Sequence, residues 1–442
     1  MNIHGQHLLI LGLGVSGFEA ARLARGEGAH VTVCDEAMRP AIREKGLTLE
    51  KEGISVHLGG RLQESHYDLV VVSPGIDLQS EFAKSVIPAG VPVIGELEFS
   101  SCFCKVPFIA ITGTNGKTTT TELISAALIK AGKKTEAVGN IGKALSTVVK
   151  DSQEFDYFVV EVSSFQLETI KTFSPHVALH LNLTPDHLDR YESMQDYGRA
   201  KERIFENQKS TDFAVVNSKL ILSPFQSKKV TFSGVDATAD YRFDNGVLIA
   251  GSERIMSMDK TQLLGMHNVE NILATLATTD LLGIQRQSVI EAICEYRPKP
   301  HRCERIGEFE GILYINDSKG TNADAVEKAL SSLSRPVVLI AGGKDKGFTF
   351  TQLRTVISQK VKHAVLIGET QEKIAKEWDQ VVPLEKALTL REAIERARRA
   401  ASRGDIILLS PGCSSFDMFR SYEDRGDQFR QEVLAMHQSK KT

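Results

Sequence analysis

The chain has 442 residues, of which 42% are hydrophobic and 25% charged, and a formal net charge of −3. That length exceeds one ordinary core, so two or three domains are expected, and the composition is that of a soluble globular protein. Charges of both signs are interspersed and no Lys/Arg block interleaves with aromatics, which argues against a nucleic-acid partner; no apolar run approaches the roughly 18 residues of a membrane span, which argues against membrane insertion.

Six cysteines (Cys34, Cys102, Cys104, Cys294, Cys303, Cys413) form no CxxC pair. They are too sparse to staple a chain of this size, and a reducing cytoplasm fits. Cys102 and Cys104 in "SSCFCKV" lack a second pair or nearby histidines and make a poor zinc site.

From the N-terminus, "HLLILGL" reads as a first strand, since it has no basic leader or small-residue cleavage site. It runs into "LGLGVSG", where Gly12, Gly14 and Gly17 have GxGxxG spacing ahead of the helical "FEAARLARGEG". Asp35 follows at the tip of the next strand, "HVTVCD". Glycines there let the backbone approach a pyrophosphate, and the helix N-terminus supplies donors. Taken alone, this loop fits a nicotinamide or flavin dinucleotide. The first domain is expected over 1–97, closing near "PVIGELEFSS".

A second domain, expected over 98–298, opens at the strand "FIAITG". The turn Gly113-Thr114-Asn115-Gly116-Lys117-Thr118-Thr119 leads into the apolar-periodic helix "TELISAALIKAG". A Gly-Lys-Thr at a strand-to-helix turn cradles phosphates with amides, reaches the terminal phosphates through lysine, and leaves a hydroxyl for Mg²⁺. Ile111 stands where the longer GxxxxGK[ST] pattern has glycine, so this is the shorter GxxGK[ST] form. Glu161, late in the apolar strand "YFVVEVSS", is a candidate metal ligand, because a buried carboxylate needs a cation or hydrogen bonds. "LNLTPDHLDRY" supplies Asp186, His187, Asp189 and Arg190 just past a strand, and Lys201 lies on the helix beyond. "TFSGVDATADYRFDNGVLIAGSERI" predicts a small β excursion with a turn at Asn245-Gly246.

The third domain, expected over 299–442, begins after "YRPKPHRCER", where Pro298 and Pro300 suggest a hinge. Its strand candidates "ILYINDS", "PVVLIAGG", "HAVLIG" and "DIILLSPG" alternate with helix-length segments, as in a parallel sheet wrapped by helices. The expected class is therefore α/β in three domains: a Rossmann-like N-terminal domain, a P-loop ATPase-like central domain and a Rossmann-like C-terminal domain.

Eight segments in order ("GTNGKTTT", "GNIG", "EVSSFQL", "NLTPDHLDRY", "HNVEN", "HRCE", "NDSKGTN" and "LLSPGCSSFDMF") cover nearly the whole chain. Together they resemble the Mur ligases of peptidoglycan synthesis, and "NDSKGTN" and "SPGCSSFDMFRSYEDRG" look like the branch that adds D-glutamate. The resemblance implies an ATP-dependent amide-bond former that works through an acyl phosphate in the cytoplasm, as a monomer. Gly14, Val15, Ser16, Asp35, Ser73, Gly75, Ser163 and His187 would face UDP-N-acetylmuramoyl-L-alanine, with Asn140 near its alanine carboxylate. ATP would meet Gly113 to Thr119, Asn268, Asn271, Arg302 and Asp317. D-Glutamate would meet Lys319, Thr321, Lys346, Ser415 and Tyr422. Two Mg²⁺ ions would be held by Thr118, Glu161, His187 and Lys201, the last aligning with a lysine that is carbamylated in this family. Lys117, His187 and Lys201 would carry catalysis. Rival readings are a sister ligase for another amino acid, a folylpolyglutamate synthase, a dinucleotide-dependent oxidoreductase and a nucleotide-binding scaffold.

Overall fold

Three sheets follow one another along the chain in the computed structural model, which describes all residues except 61, 63–65, 189, 264, 298–299, 334, 348 and 439–442. Pro298, Asp189 and the expected boundary at 298/299 therefore lie outside the described residues. Among the described residues, no helix is long and apolar enough to cross a membrane.

The first sheet is parallel, in the spatial order Ser55–Leu58, His30–Asp35, His7–Leu11, Leu69–Val72, Val93–Gly95. Strand order reverses between His7–Leu11 and Leu69–Val72, so a crevice opens at their carboxyl ends, bounded by Gly12 and Ser73. Ser73 Oγ donates to the Gly12 carbonyl at 3.0 Å and ties the two lips together. Gly17 lies in the first turn of the helix Val15–Gly26, where a Cβ would stand 1.8 Å from the Gly12 carbonyl oxygen. Only glycine lets that helix pack so close to the strand end. Gly17→Ala is expected to destabilise this domain by about 3 kcal/mol, an overpacking cost against backbone. Urea unfolding followed beside Gly14→Ala, whose added Cβ meets nothing within 4 Å, checks this; equal midpoints for the two variants would contradict it.

The second sheet has nine strands, in the order Glu253–Ser257, Val247–Ala250, Tyr241–Asp244, Lys228–Ser233, Phe213–Asn217, Val177–His180, Phe108–Thr112, Tyr157–Glu161, Thr135–Gly139. The predicted β excursion is its antiparallel end, turning at Asn245 and Gly246 with φ of 45° and 85°. Both values are left-handed, as a two-residue hairpin turn requires. The excursion is not separate: Tyr241–Asp244 pairs in parallel with Lys228–Ser233 and extends the main sheet.

Alternation along the central strands builds two cores. Ala110, Phe158, Val160 and Ala178 join a core that continues into the first domain, while Ile109, Ile111, Val159 and Leu179 face the helices Lys117–Lys130, Met266–Leu281 and Arg286–Glu295. The joint between the first two domains is the helix Glu96–Ser101. Its buried Glu98 accepts the backbone N–H groups of Lys171, Thr172 and Phe173, each at 2.9 Å.

The third sheet runs Glu304–Phe309, Ile312–Asn316, Ile406–Leu409, Val337–Ala341, Val361–Leu366, Leu384–Lys386, with its first pair antiparallel. Its central strands are buried on both faces, so Leu313, Ile315 and Leu339 feed one core and Tyr314, Val338 and Ile340 the other.

Candidate active site

Register in the central sheet assembles the site. Ile111 lies opposite Glu161 and Thr112 opposite His180, so the loops leaving these strands emerge side by side. In the phosphate loop, Gly116 has φ 84° and its position faces the Asn271 side chain, leaving no room for a Cβ. Asn115 is clamped by a reciprocal pair: its N–H donates to Asn182 Oδ1, and Asn182 Nδ2 donates to its carbonyl, both at 2.9 Å. The Lys117 ammonium folds back on the loop, donating to the carbonyls of Gly113 (2.9 Å) and Thr114 (2.8 Å). Burial lowers its affinity for the proton.

Glu161 is 3% exposed; Oε1 accepts from Asn140 Nδ2 at 3.0 Å, and Oε2 has no hydrogen-bond partner among the described residues. Lys201, 1% exposed, donates from Nζ to the Gly113 carbonyl at 3.0 Å and lies 4.6 Å from the Tyr197 ring centroid. Burial, then the nearby Lys117 charge, pushes its amine well below the ordinary lysine range. His187 has a left-handed φ of 55°, and its ring packs edge-on against Phe165 at 4.8 Å. Its N–H donates to its neighbour Asp186 at 3.0 Å.

A buried carboxylate oxygen with nothing to accept from suits a divalent cation, and Mg²⁺ characteristically takes one or two carboxylates together with phosphate oxygens. Among the described residues, no three His, Cys, Asp or Glu side chains converge as a metal cage. Glu161 with Thr118 thus fits an ion that is completed largely by substrate.

A cleft of about 1410 Å³ separates the phosphate loop from the third domain. Thr114 to Thr119, Asn140, Glu161, Asn268 and Asn271 line its central-domain wall, and Arg302, Asp317, Lys319, Thr321 and Tyr422 line the opposite one. Asn271 accepts from Thr120 Oγ1 and donates to Asn268, both at 3.2 Å, which fixes the two amides relative to the loop. Lys319 Nζ sits 3.8 Å from the Tyr422 ring centroid, and burial, then the Arg302 charge, brings its amine down to about 8. Lys117, Arg302 and Lys319 thus make a cationic cleft suited to a polyanion.

Asp317 follows the strand Ile312–Asn316 and accepts from the Cys303 N–H (3.2 Å) and Ser410 Oγ (2.7 Å). Burial raises its carboxyl from 3.8 to about 6, against those hydrogen bonds. With the native value above the unfolded one, the cost of ionising it in the fold is absent below about pH 4 and complete above about pH 6. Asp317→Asn is therefore expected to stabilise the protein by about 1–3 kcal/mol near pH 8 and by much less near pH 4.5. Urea melts at both pH values check this; the same shift at each would contradict it.

Other expected residues lie farther out. Gly14 caps the helix Val15–Gly26 with no side-chain hydrogen bond, and Val15 is 60% exposed, so with Ser16 the helix start is open to a ligand. The Asp35 carboxylate turns inward to the N–H groups of Leu13 (2.6 Å) and Ala37 (2.7 Å). Ser73 shares a small closed space with Phe165 and Arg190, while Gly75 has open space beside it. Ser163 caps the short helix Ser164–Leu167 in a capping box with Gln166. Lys346 and Ser415 do not line the cleft with Lys319, Thr321 and Tyr422. They sit on adjoining loops bridged at Lys344 and Ser414, and Lys346 Nζ comes within 4.0 Å of Asp186. Sequence reading missed Asn182 as the clamp on Asn115, although it stands in the quoted "NLTPDHLDRY". It also missed His267, a cleft residue whose imidazole burial brings down to about 4.

Family models match the chain in three consecutive stretches: a Mur ligase MurD-like N-terminal domain over 6–95, a Mur ligase middle domain over 111–279 and a Mur ligase glutamate ligase domain over 301–413. Among curated relatives, a UDP-N-acetylmuramoylalanine–D-glutamate ligase from Geobacter metallireducens is 41% identical, covering 99% of each chain. One of the same name from Pelotomaculum thermopropionicum is 41% identical, covering 97% of each. Among solved structures, UDP-N-acetylmuramate-alanine ligase MurC from Thermotoga maritima matches with a TM-score of 0.63 at 20% identity, covering 98% of this chain and 100% of that one. A MurF ligase from the same organism in complex with ADP gives 0.60 at 15% identity, covering 98% and 96%. At such identities the structures attest the fold, and the curated relatives attest common descent. With three α/β domains meeting at a phosphate loop, and family models and relatives covering its length, the chain belongs to the Mur ligase family.

Proposed function

We propose that the protein uses ATP to join D-glutamate to UDP-N-acetylmuramoyl-L-alanine through an acyl phosphate. One observation carries this reading: a single cleft holds the phosphate loop with Lys117, the unpartnered oxygen of Glu161, and the facing cations Arg302 and Lys319. A carboxylate is a poor electrophile, so the γ-phosphoryl is first moved to the alanine carboxylate. The amine of D-glutamate then attacks that carbonyl carbon, the C–N bond forms, the C–O bond to phosphate breaks, and the amine gives up a proton.

Lys117 turns from the Gly113 and Thr114 carbonyls to the transferring phosphoryl group, with Arg302 and Lys319 neutralising charge from across the cleft. Asn268 and Asn271 hold the nucleotide, and Asp317 accepts a ribose hydroxyl. The open helix start at Gly14, Val15 and Ser16 receives the diphosphate of the UDP-sugar, with Asp35, Ser73 and Gly75 around it. Asn140, Ser163 and His187 receive its acyl end. Lys319, Thr321 and Tyr422 meet D-glutamate from the cleft wall, and Ser415 and Lys346 reach it from the adjoining loops, Lys346 pairing with its side-chain carboxylate.

Glu161, Thr118, His187 and a carbamylated Lys201 would hold Mg²⁺, two ions in this reading, whose charge offsets that of the phosphates. Burial of Lys201 favours the neutral amine, the form that can add CO₂. The enzyme works as a monomer in the cytoplasm, the compartment that supplies ATP.

Hydroxylamine capture tests the intermediate. With ATP and UDP-N-acetylmuramoyl-L-alanine but no amino acid, neutral hydroxylamine is expected to yield the hydroxamate of the UDP-sugar peptide. Absence of hydroxamate in an enzyme that turns over with D-glutamate would overturn the acyl-phosphate step.

A further inference from the structure

Polar contacts cross the cleft beside the phosphate loop, and one of them belongs to a residue outside all the motifs discussed so far. Asn115 has both its backbone groups committed to Asn182, so only its side chain can reach outward. That amide donates from Nδ2 to Asp324 Oδ2, on the first turn of the third-domain helix Ala323–Ser331. Asp324 is a formed feature: its carboxylate also pairs with Lys328 one turn on, at 2.9 Å, and its side chain is 15% exposed. The N-cap of the same helix, Asn322, accepts from the Ala325 N–H at 2.9 Å and donates to Asp186 Oδ2 at 3.3 Å on the central domain. The far end of the helix packs near the turn that begins Asn268's own helix, since a Cβ on Gly265 would meet Ser332 Cβ at 2.6 Å. One helix of the third domain thus lies against both the phosphate loop and the turn that starts the helix Met266–Leu281.

A carboxylate is a poor direct ligand for polyphosphate, so the route from Asp324 to nucleotide chemistry runs through Asn115. We propose that Asp324 is a positioning residue, which through its hydrogen bond with Asn115 couples docking of the C-terminal domain to the geometry of the phosphate loop. This rests on the ATP-dependent reading above. When the C-terminal domain swings away, the Asn115 amide loses its acceptor and the loop loses its outer restraint. When it docks, the loop is held in the form that presents Lys117, so phosphoryl transfer waits for the domain that carries the acceptor amino acid.

The test compares Asp324→Ala, Asp324→Asn, Asn115→Ala and the Asn115→Ala/Asp324→Ala double variant in the full chain, each first shown to melt as the parent does. Three readouts are taken: kcat, binding of a fluorescent ATP analogue to the free enzyme, and X-ray scattering with ATP analogue plus UDP-sugar. Asp324→Ala is expected to lower kcat about tenfold, with analogue affinity changed less than about twofold, and to expand the scattering profile. Asp324→Asn keeps an oxygen acceptor and is expected to recover to within about threefold of the parent. The double variant should lose no more than Asn115→Ala alone. Parental kcat and scattering for Asp324→Ala, multiplying losses in the double variant, or an Asp324→Asn as impaired as the alanine form would each overturn the proposal. Scattering and analogue binding need no amino acid, so a parent that fails to turn over D-glutamate would sink the function proposed above while these two readouts still decide the latch.

Discussion

Replacing Lys117 with alanine is expected to lower D-glutamate-dependent phosphate release by about 10³-fold while the fold persists. In the resting site its ammonium satisfies two carbonyls of its own loop, at 2.9 and 2.8 Å, and it is the cation built into the turn itself. Its removal deletes the charge that meets the transferring phosphoryl group and takes a donor from both carbonyls, although Gly113 keeps the one from Lys201. Arginine should not restore activity, because a planar fork cannot reproduce the single ammonium that bonds both the Gly113 and Thr114 carbonyls. Steady-state kinetics with circular dichroism on both variants would check this, and a loss of less than tenfold for the alanine form would contradict it.

Lys201→Met is expected to cost about 10²- to 10³-fold in kcat without lowering stability. Methionine keeps the packing against Tyr197 and deletes an amine whose burial opposes its charge, so the unfolding midpoint should hold or rise. A carbamylated lysine predicts a second signature: activity of the parent increases with added bicarbonate, and ¹³C-bicarbonate gives a carbamate resonance absent from the variant. A variant with more than a third of parental activity, or a parent indifferent to bicarbonate and free of that resonance, would argue against a metal-binding role for Lys201.

Much of this site was legible because parallel α/β sheets deliver ligands at strand ends, and strand ends are marked in sequence. The apolar run before Gly113, the glycine spacing after Leu11 and the acid closing "YFVVE" each signal locally what the sheet then aligns, whereas the register that sets Ile111 opposite Glu161 emerges only in the folded sheet. The Asn245-Gly246 turn was equally readable from its own two residues, but its fusion to the main sheet depends on pairing with a distant strand.

What sequence periodicity could not carry was contact between domains. The Asn115–Asp324 bond spans 209 residues, and nothing in "NADAVEKAL" distinguishes Asp324 from an ordinary acid in a helix's first turn. The left-handed backbone of His301 (φ 69°) and Cys303 (φ 45°) on either side of Arg302 was also hidden. Histidine visits that conformation more often than most side chains but cysteine does not, and no turn residue marks it here; His301 Nδ1 meets Asn316 Nδ2 at 3.0 Å and the Cys303 N–H meets Asp317.

The central claim is the identity of the acceptor. Phosphate release from ATP should be measured with UDP-N-acetylmuramoyl-L-alanine and D-glutamate, L-glutamate, L-alanine, L-lysine or meso-diaminopimelate, each supplied alone. Release is expected with D-glutamate only. Release driven by another amino acid would keep the fold and the phosphate chemistry but contradict the assignment of Lys319, Thr321, Lys346, Ser415 and Tyr422 to D-glutamate, and no release with any of them would contradict the function itself.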